Sequence, residues 1–422
     1  MRRSRMLAVV GAAAVISLTL AGCGRASDSE AGAAEATTLG DAEATGTVTM
    51  WAMGAEGEEL PAFVSAFEEA NPGVTVDVTA IPWDAAHNKF QTAIAAGKTP
   101  DIAMMGSTWM SDFSDAFQTV PTDLDTSDFF DSALESATID DRAVGVPWYV
   151  DTRVLYYRTD VAATAGWDSA PTTWDELSQM ASDMQTKGGA DWGIRLIAGG
   201  NDSFQGSLWA PLSSGASLEA DDGWTLDTPE MVAGFEYYQS FFADGIADPN
   251  AGNASGAQEV AFVNGSTPML IEGPFERGQL DEIGGDGFSD KYTTAVLPTD
   301  ESSTSFSGGA NLVVFDDAEN PTAAWRLAEW LSNADTQTDW FETTGDLPAA
   351  QTSWDDAALS SDEKLQPFGE QLKTAVAPPS ATTWVQVAAA GDTMVEQITQ
   401  QRTTPAEGLA ALQKTADSLG LG

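Results

Sequence analysis

Hydrophobic residues along this chain switch repeatedly between two periods. Thr47-Val48-Thr49-Met50-Trp51 reads as a β segment. Leu60, Phe63, Val64 and Phe67 then fall at i, i+3, i+4 and i+7, which places them on one helical face. Asn71-Pro72-Gly73 stops that helix, and Val74, Val76 and Val78 alternate as a half-buried strand. Phe90 and Ile94 mark a second helix, and Asp101-Ile102-Ala103-Met104-Met105 predicts the next strand. Strand, helix, strand, helix, strand predicts a mainly parallel sheet with crossover helices.

Later helices are announced by proline at the first helical position behind a capping residue. Thr228-Pro229, Asn320-Pro321 and Thr404-Pro405 share that device. Thr173-Trp174-Asp175-Glu176 has the spacing of a capping box ahead of Leu177. Trp325, Leu327, Ala328 and Leu331 make a further buried face, with Trp330 and Trp174 also at core spacing. No internal repeat is visible. The pattern predicts an α/β fold throughout, with binding sites at the carboxyl ends of strands and between lobes.

At 422 residues the chain is long enough for two lobes. Its 64 acidic residues against 18 basic ones give a formal charge of −46, a surface that repels phosphate backbones and excludes nucleic acid as a partner. An anionic membrane face would repel it too, so membrane contact requires an anchor. A single cysteine, Cys23, rules out a disulfide framework or a cysteine metal cluster. A single histidine, His87, rules out a multi-histidine metal site and leaves one possible centre for a Ser-His-Asp triad. Asp248-Pro249-Asn250 lacks the spacing of a calcium loop. No cofactor or metal is expected.

The N-terminus has three parts in order: basic Arg2, Arg3 and Arg5, an uncharged apolar run from Met6 to Leu20, then Leu20-Ala21-Gly22-Cys23. At about 15 residues the run is short for a membrane span. Its ending resembles the bacterial lipobox, which implies removal of residues 1–22 and diacylation of Cys23. That predicts a protein held at the outer face of the bacterial cell membrane by an N-terminal lipid. Sec and twin-arginine export both stay open. Residues 23–45 are small and polar, with too little apolar surface to offset ordering entropy, and are expected to form a flexible tether.

Five segments resemble the family 1 extracellular solute-binding proteins, the maltose-binding-like group that serves ABC sugar transporters. They are Val146-Pro147-Trp148-Tyr149-Val150-Asp151-Thr152-Arg153-Val154-Leu155-Tyr156-Tyr157-Arg158, Pro171-Thr172-Thr173-Trp174-Asp175-Glu176-Leu177, Met269-Leu270-Ile271-Glu272-Gly273-Pro274-Phe275, Gly308-Gly309-Ala310-Asn311-Leu312-Val313-Val314 and Gly345-Asp346-Leu347-Pro348. Each block is weak alone, and their order carries the resemblance. It implies two α/β lobes with discontinuous segments joined by a hinge, residues 46–150 and 308–375 in one lobe and 151–307 and 376–422 in the other. It also implies a monomer that catalyses nothing, captures a carbohydrate (an oligosaccharide in the first instance) by closure, and delivers it to ABC permease subunits.

A sugar cleft needs aromatic rings for C–H faces and carboxylates or amides for hydroxyl edges. Trp109 and Asp112 follow a strand end and match cleft positions of the family. Trp148, Tyr149 and Asp151 stand at the first crossing between lobes. Glu272 and Phe275 close the third block, with phenylalanine where the family generally has tryptophan, so ring area and the indole donor are lost. Trp384 matches a late stacking aromatic. Glu56 lies in the loop after the first strand, Trp83 and Asp84 follow the second, and Gln205 and Trp209 lie where the second lobe would face the cleft. Each has a structural alternative, loop or hinge packing for the rings and solvation for the carboxylates. Trp51 is expected in the core.

Two alternatives stay open on sequence. One is a secreted glycoside hydrolase, which needs only a suitably spaced carboxylate pair. The other keeps the fold and changes the ligand to a polyol, a polyamine, a metal chelate or a peptide.

Overall fold

The computed structural model describes residues 37–220, 222–251 and 256–422. Cys23 and the signal-peptide reading lie outside them. Among the described residues no helix is long and apolar enough to cross a membrane.

The larger sheet has six strands in the order Leu347–Pro348, Val146–Asp151, Gly308–Val314, Ile102–Gly106, Gly46–Met53 and Val74–Ile81. Gly46–Met53 runs parallel to both Val74–Ile81 and Ile102–Gly106, as helical crossovers require. Gly308–Val314 enters from far along the chain and runs antiparallel to Ile102–Gly106 and Val146–Asp151. The parallel character expected of the sheet therefore holds only for its N-terminal half. A second sheet of three antiparallel strands has Val154–Arg158 at its centre, flanked by Met269–Glu272 and Tyr292–Ala295.

The first predicted helical face forms as two pieces, Gly54–Phe63 and Ser65–Ala70, with Leu60, Val64 and Phe67 buried and Phe63 only partly so. Asn71 ends it, as its Asn-Pro-Gly stop predicts. Thr228 accepts the Met231 N–H at 3.2 Å, and Thr404 forms a full capping box with Glu407. Asn320 does not cap its helix. Its amide instead donates to the Thr45 and Thr47 carbonyls at 2.6 and 3.2 Å, pinning the incoming chain. The Thr173 box is half made: Thr173 accepts the Glu176 N–H, while the Glu176 carboxylate turns to Thr172.

The expectation of a free tether as far as Thr45 is corrected by the bonds of its last residues. Asp123 accepts the N–H groups of Leu39 and Gly40 at 2.8 and 2.7 Å, Arg326 donates to the Ala42 carbonyl at 3.1 Å, and Ala44 is buried. These polar anchors, with Leu39 and Ala44 packed on the core, order a segment that carries little hydrophobic surface itself.

The fold is α/β with two lobes, one around each sheet. Three segments pass between them and lie side by side. The Ser307 N–H donates to the Val376 carbonyl at 2.8 Å, the Val376 N–H to Ser305 at 2.9 Å, and the Arg153 N–H to Ser305 Oγ at 3.1 Å. These pairings satisfy backbone groups that would otherwise be stranded between the lobes.

Candidate functional site

Two cavities of about 510 Å³ each open beside the crossing segments, and both are walled by Asp151 and Phe275. Asp151 ends the Val146–Asp151 strand, and Phe275 follows the Met269–Glu272 strand, so the shared wall is built from both sheets. Phe275 is 49% exposed. A phenyl ring so placed presents an open apolar face to both cavities.

The first cavity is polar. Tyr149 donates to Glu56 Oε1 at 2.8 Å, and burial together with the Glu56 charge holds the phenol protonated far above its ordinary range. Asp346, from the Gly345-Asp346-Leu347-Pro348 turn, accepts the Trp340 indole N–H at 3.0 Å. Burial first, then the charges of Glu56 and Asp151, push the Asp346 carboxyl up to about 7, against the pull of its hydrogen-bond donors Trp340 and Thr344. Arg277 and Asp281 reach the same cavity from the Glu276–Gly284 helix.

The second cavity is aromatic. Trp83 and Trp109 meet edge to face at 5.6 Å, and Phe306 and Phe275 complete its rings. Gln205 lines it beside Asp202, 3.4 Å away. Arg153 joins Asp151 in an ion pair, lies 3.7 Å from Glu272 and stands 5.7 Å over the Phe275 ring. Burial opposes its charge, but the two carboxylates outweigh that and hold the guanidinium still more firmly protonated than usual. Gly309 lets the rim close: its φ is +117°, and a Cβ there would sit 2.2 Å from the Tyr149 carbonyl.

Eight of the expected site residues line these cavities: Glu56, Tyr149, Asp151, Phe275, Trp83, Trp109, Gln205 and Glu272. Three rings are corrected by their burial. Trp148 sits at a bulge, where pairing skips from Tyr149 to Pro147, and its ring turns inward to pack on Trp340 at 4.9 Å. Trp209 packs among Trp174, Tyr237 and Tyr238. Trp384 is enclosed by Phe204, Trp224 and Phe306, so it backs a cavity ring without offering its own face. None of the three indole nitrogens has a hydrogen-bond partner among the described residues.

Two carboxylates are also corrected. Asp84 is exposed at the start of its helix and lines neither cavity. Asp112 turns to His87, with 2.8 Å between Oδ2 and Nε2, and His87 meets the Trp109 ring edge to face at 5.4 Å. Asp112 thus steadies Trp109 from behind.

Sequence reasoning passed over Arg153, Asp346, Arg277 and Phe306. The first two lie inside the quoted Val146–Arg158 and Gly345–Pro348 segments. A cation two residues from an expected site carboxylate was a usable signal, whereas Arg277 and Phe306 carried none.

Residues 62–367 match the bacterial extracellular solute-binding protein family. The chain belongs to that family. Its members work outside the cytoplasm with ABC transporter permeases. This solute-binding protein is 26% identical over 330 residues to the diacetylchitobiose-binding protein of Streptomyces coelicolor, covering 74% of each chain. It is 21% identical over 431 residues to the galactooligosaccharide-binding protein of Bacillus subtilis, covering 99% of this chain and 97% of that one. The sugar-binding protein MalE of Xanthomonas citri shares its fold with a TM-score of 0.82 and 28% identity, over 88% of this chain and 97% of the other. These relatives are binding proteins.

Proposed function

We propose that this solute-binding protein captures a carbohydrate, an oligosaccharide, between its lobes and delivers it to the permease of an ABC importer. The observation that carries the reading is the pair of cavities sharing Asp151 and Phe275, one rich in rings and the other in carboxylates. Rings cover the C–H faces of a sugar, and carboxylates accept from its hydroxyls. Two adjoining cavities suit a ligand longer than one ring.

Closure follows from the same arrangement. Only contacts made to both lobes at once favour a closed state, and Asp151 and Phe275 come from different sheets. The lobes divide at residues 46–150 with 308–375 and 151–307 with 376–422, and bending is taken up where the three crossing segments pair. Cys23 carries the lipid that keeps the monomer at the membrane.

The test is a thermal-shift screen of the lipid-free mature chain against malto-, cello-, xylo-, chito- and galacto-oligosaccharides, with the sugars recovered afterwards. A ligand at 100 times its Kd adds about 2.7 kcal/mol of stability. A shift with unchanged sugar supports capture. Released monosaccharide would make the protein a hydrolase, and a panel without any shift would remove the carbohydrate.

A further inference from the structure

Among the described residues that line the polar cavity, Arg277 is the one cation, set with Glu56, Asp151, Asp281 and Asp346. Ionised carboxylates only accept hydrogen bonds, and a guanidinium only donates them. A sugar hydroxyl does both, so one lodged between the two donates to a carboxylate and accepts from the guanidinium. That use requires the guanidinium to be kept off the carboxylates it could otherwise neutralise.

One competitor stands on the same helix. Asp281 follows Arg277 by four residues, the spacing at which helical side chains pair. The structure shows another arrangement. Arg277 Nη2 pairs with Asp362, outside the cavity lining, while Asp281 Oδ1 accepts the Tyr292 hydroxyl at 3.1 Å.

Asp362 is itself held. Its Oδ1 accepts the Lys364 N–H at 2.9 Å. The Lys364 ammonium donates to the Ser289 carbonyl and hydroxyl at 2.6 and 2.7 Å and lies 4.5 Å over the Tyr292 ring. The Thr294 hydroxyl donates to the Lys364 carbonyl at 2.7 Å. Further on, Phe368 packs edge to face on Tyr156, and Gln371 Oε1 accepts the Leu297 N–H at 2.8 Å. Residues 362–371 thus bond to the lobe that carries Arg277, although in chain order they follow the other lobe's strand Gly308–Val314. A support fixed to the wall it supports keeps its geometry whether the lobes stand open or closed.

We infer that Arg277 donates to ligand hydroxyls in the polar cavity and that Asp362 is its positioning residue. The inference rests on the carbohydrate reading above and deepens it. Without Asp362 the guanidinium is released towards Asp281, where it neutralises a cavity carboxylate instead of meeting the sugar.

Isothermal titration of the lipid-free mature chain with maltotriose, cellotriose, xylotriose, triacetylchitotriose and β-1,4-galactotriose selects the tightest binder as the probe. Arg277→Met should weaken it about tenfold or more, as loss of a charged hydrogen bond does. Asp362→Asn should weaken it about fivefold in the parent and less than about twofold beside Arg277→Met, since nothing then remains to be positioned. Asp362→Glu keeps the pair and should stay within about twofold of the parent. Circular dichroism checks that each variant folds, and Arg277→Gln replaces Arg277→Met if that variant does not. A second readout needs no sugar. The Arg277 Nε–H resonance, assigned by its loss in the Arg277 variant, should shift and gain mobility in Asp362→Asn, read by nitrogen-15 relaxation.

An equal loss from Asp362→Asn in both backgrounds, or an unchanged Arg277 resonance, overturns the positioning role and leaves carbohydrate capture standing. Undiminished binding in the Arg277 variant overturns the contact as well, again without touching capture. A panel in which no sugar binds overturns the carbohydrate reading and this role with it.

Discussion

The Tyr149 hydroxyl and Glu56 Oε1 lie 2.8 Å apart, and this one hydrogen bond ties the strand that leads into the crossing to the helix that follows the first strand. It holds a nine-tenths buried carboxylate in the wall of the polar cavity. Tyr149→Phe removes the donor and leaves Glu56 without a partner, at a cost of about 1–3 kcal/mol. Ligand affinity should fall about tenfold, read by titration calorimetry, with a matching loss in a urea melt. Unchanged affinity and stability would mean that water replaces the hydroxyl without penalty.

Arg153 separates two carboxylates that would otherwise repel. Arg153→Met keeps the stem and removes the charge, leaving Asp151 and Glu272 without their cation. Because the guanidinium is about a third exposed, the expected loss is about 1–3 kcal/mol, below that of a fully buried pair. Denaturant unfolding at low and at high salt checks it. The deficit should shrink as salt screens the unpaired carboxylates, and an equal deficit at both would point to lost packing.

Trp109 and Trp384 should separate cleanly. Trp109→Ala strips a ring from the aromatic cavity and should weaken binding about tenfold, equivalent to about 1.4 kcal/mol. Trp384→Ala empties a buried site and should cost about 3–5 kcal/mol of stability, with the folded fraction binding normally. Calorimetric binding of both variants, beside their unfolding curves, distinguishes the roles. The reverse pattern would place Trp384 in the cleft.

Glu276 supplies a pH signature. Its side chain is fully buried, one carboxylate oxygen has no partner among the described residues, and Gln258 donates to the other at 3.1 Å. Burial first, then Glu272 and Glu259, push its carboxyl up to about 8, with Gln258 and Arg153 pulling the other way. A carboxyl raised in the folded state binds its proton more tightly there than in the unfolded chain, so stability falls as pH rises towards 8. Glu276→Gln should leave the melting temperature little changed at pH 4 and raise it progressively relative to the parent as pH climbs to 9. A constant difference between the two proteins across that range would rule out titration of this group.

Periodicity recovered the N-terminal elements because each buries one face on its own sheet: Leu60, Val64 and Phe67 are interior, and the Val74–Ile81 strand pairs in full register with Gly46–Met53. It could not recover the antiparallel half, where Gly308–Val314 finds neighbours more than 150 residues earlier in the chain. The cavity lining was legible where a carboxylate sits at a strand end, as with Asp151 and Glu272. It was misread where an aromatic could serve either side of a wall. Trp148 and Tyr149 are adjacent, yet one packs on Trp340 and the other bonds Glu56. A bulge decided between them, and no one-dimensional pattern contains that bulge.

A polypeptide that passes three times between its halves is hard to sever. Were any one of the paired stretches at Thr152, Phe306 or Val376 cut, the other two would still join the halves. The same triple threading denies the halves the free swivel of beads on a string, so whatever relative movement they make is confined to flexing across one narrow ribbon of backbone.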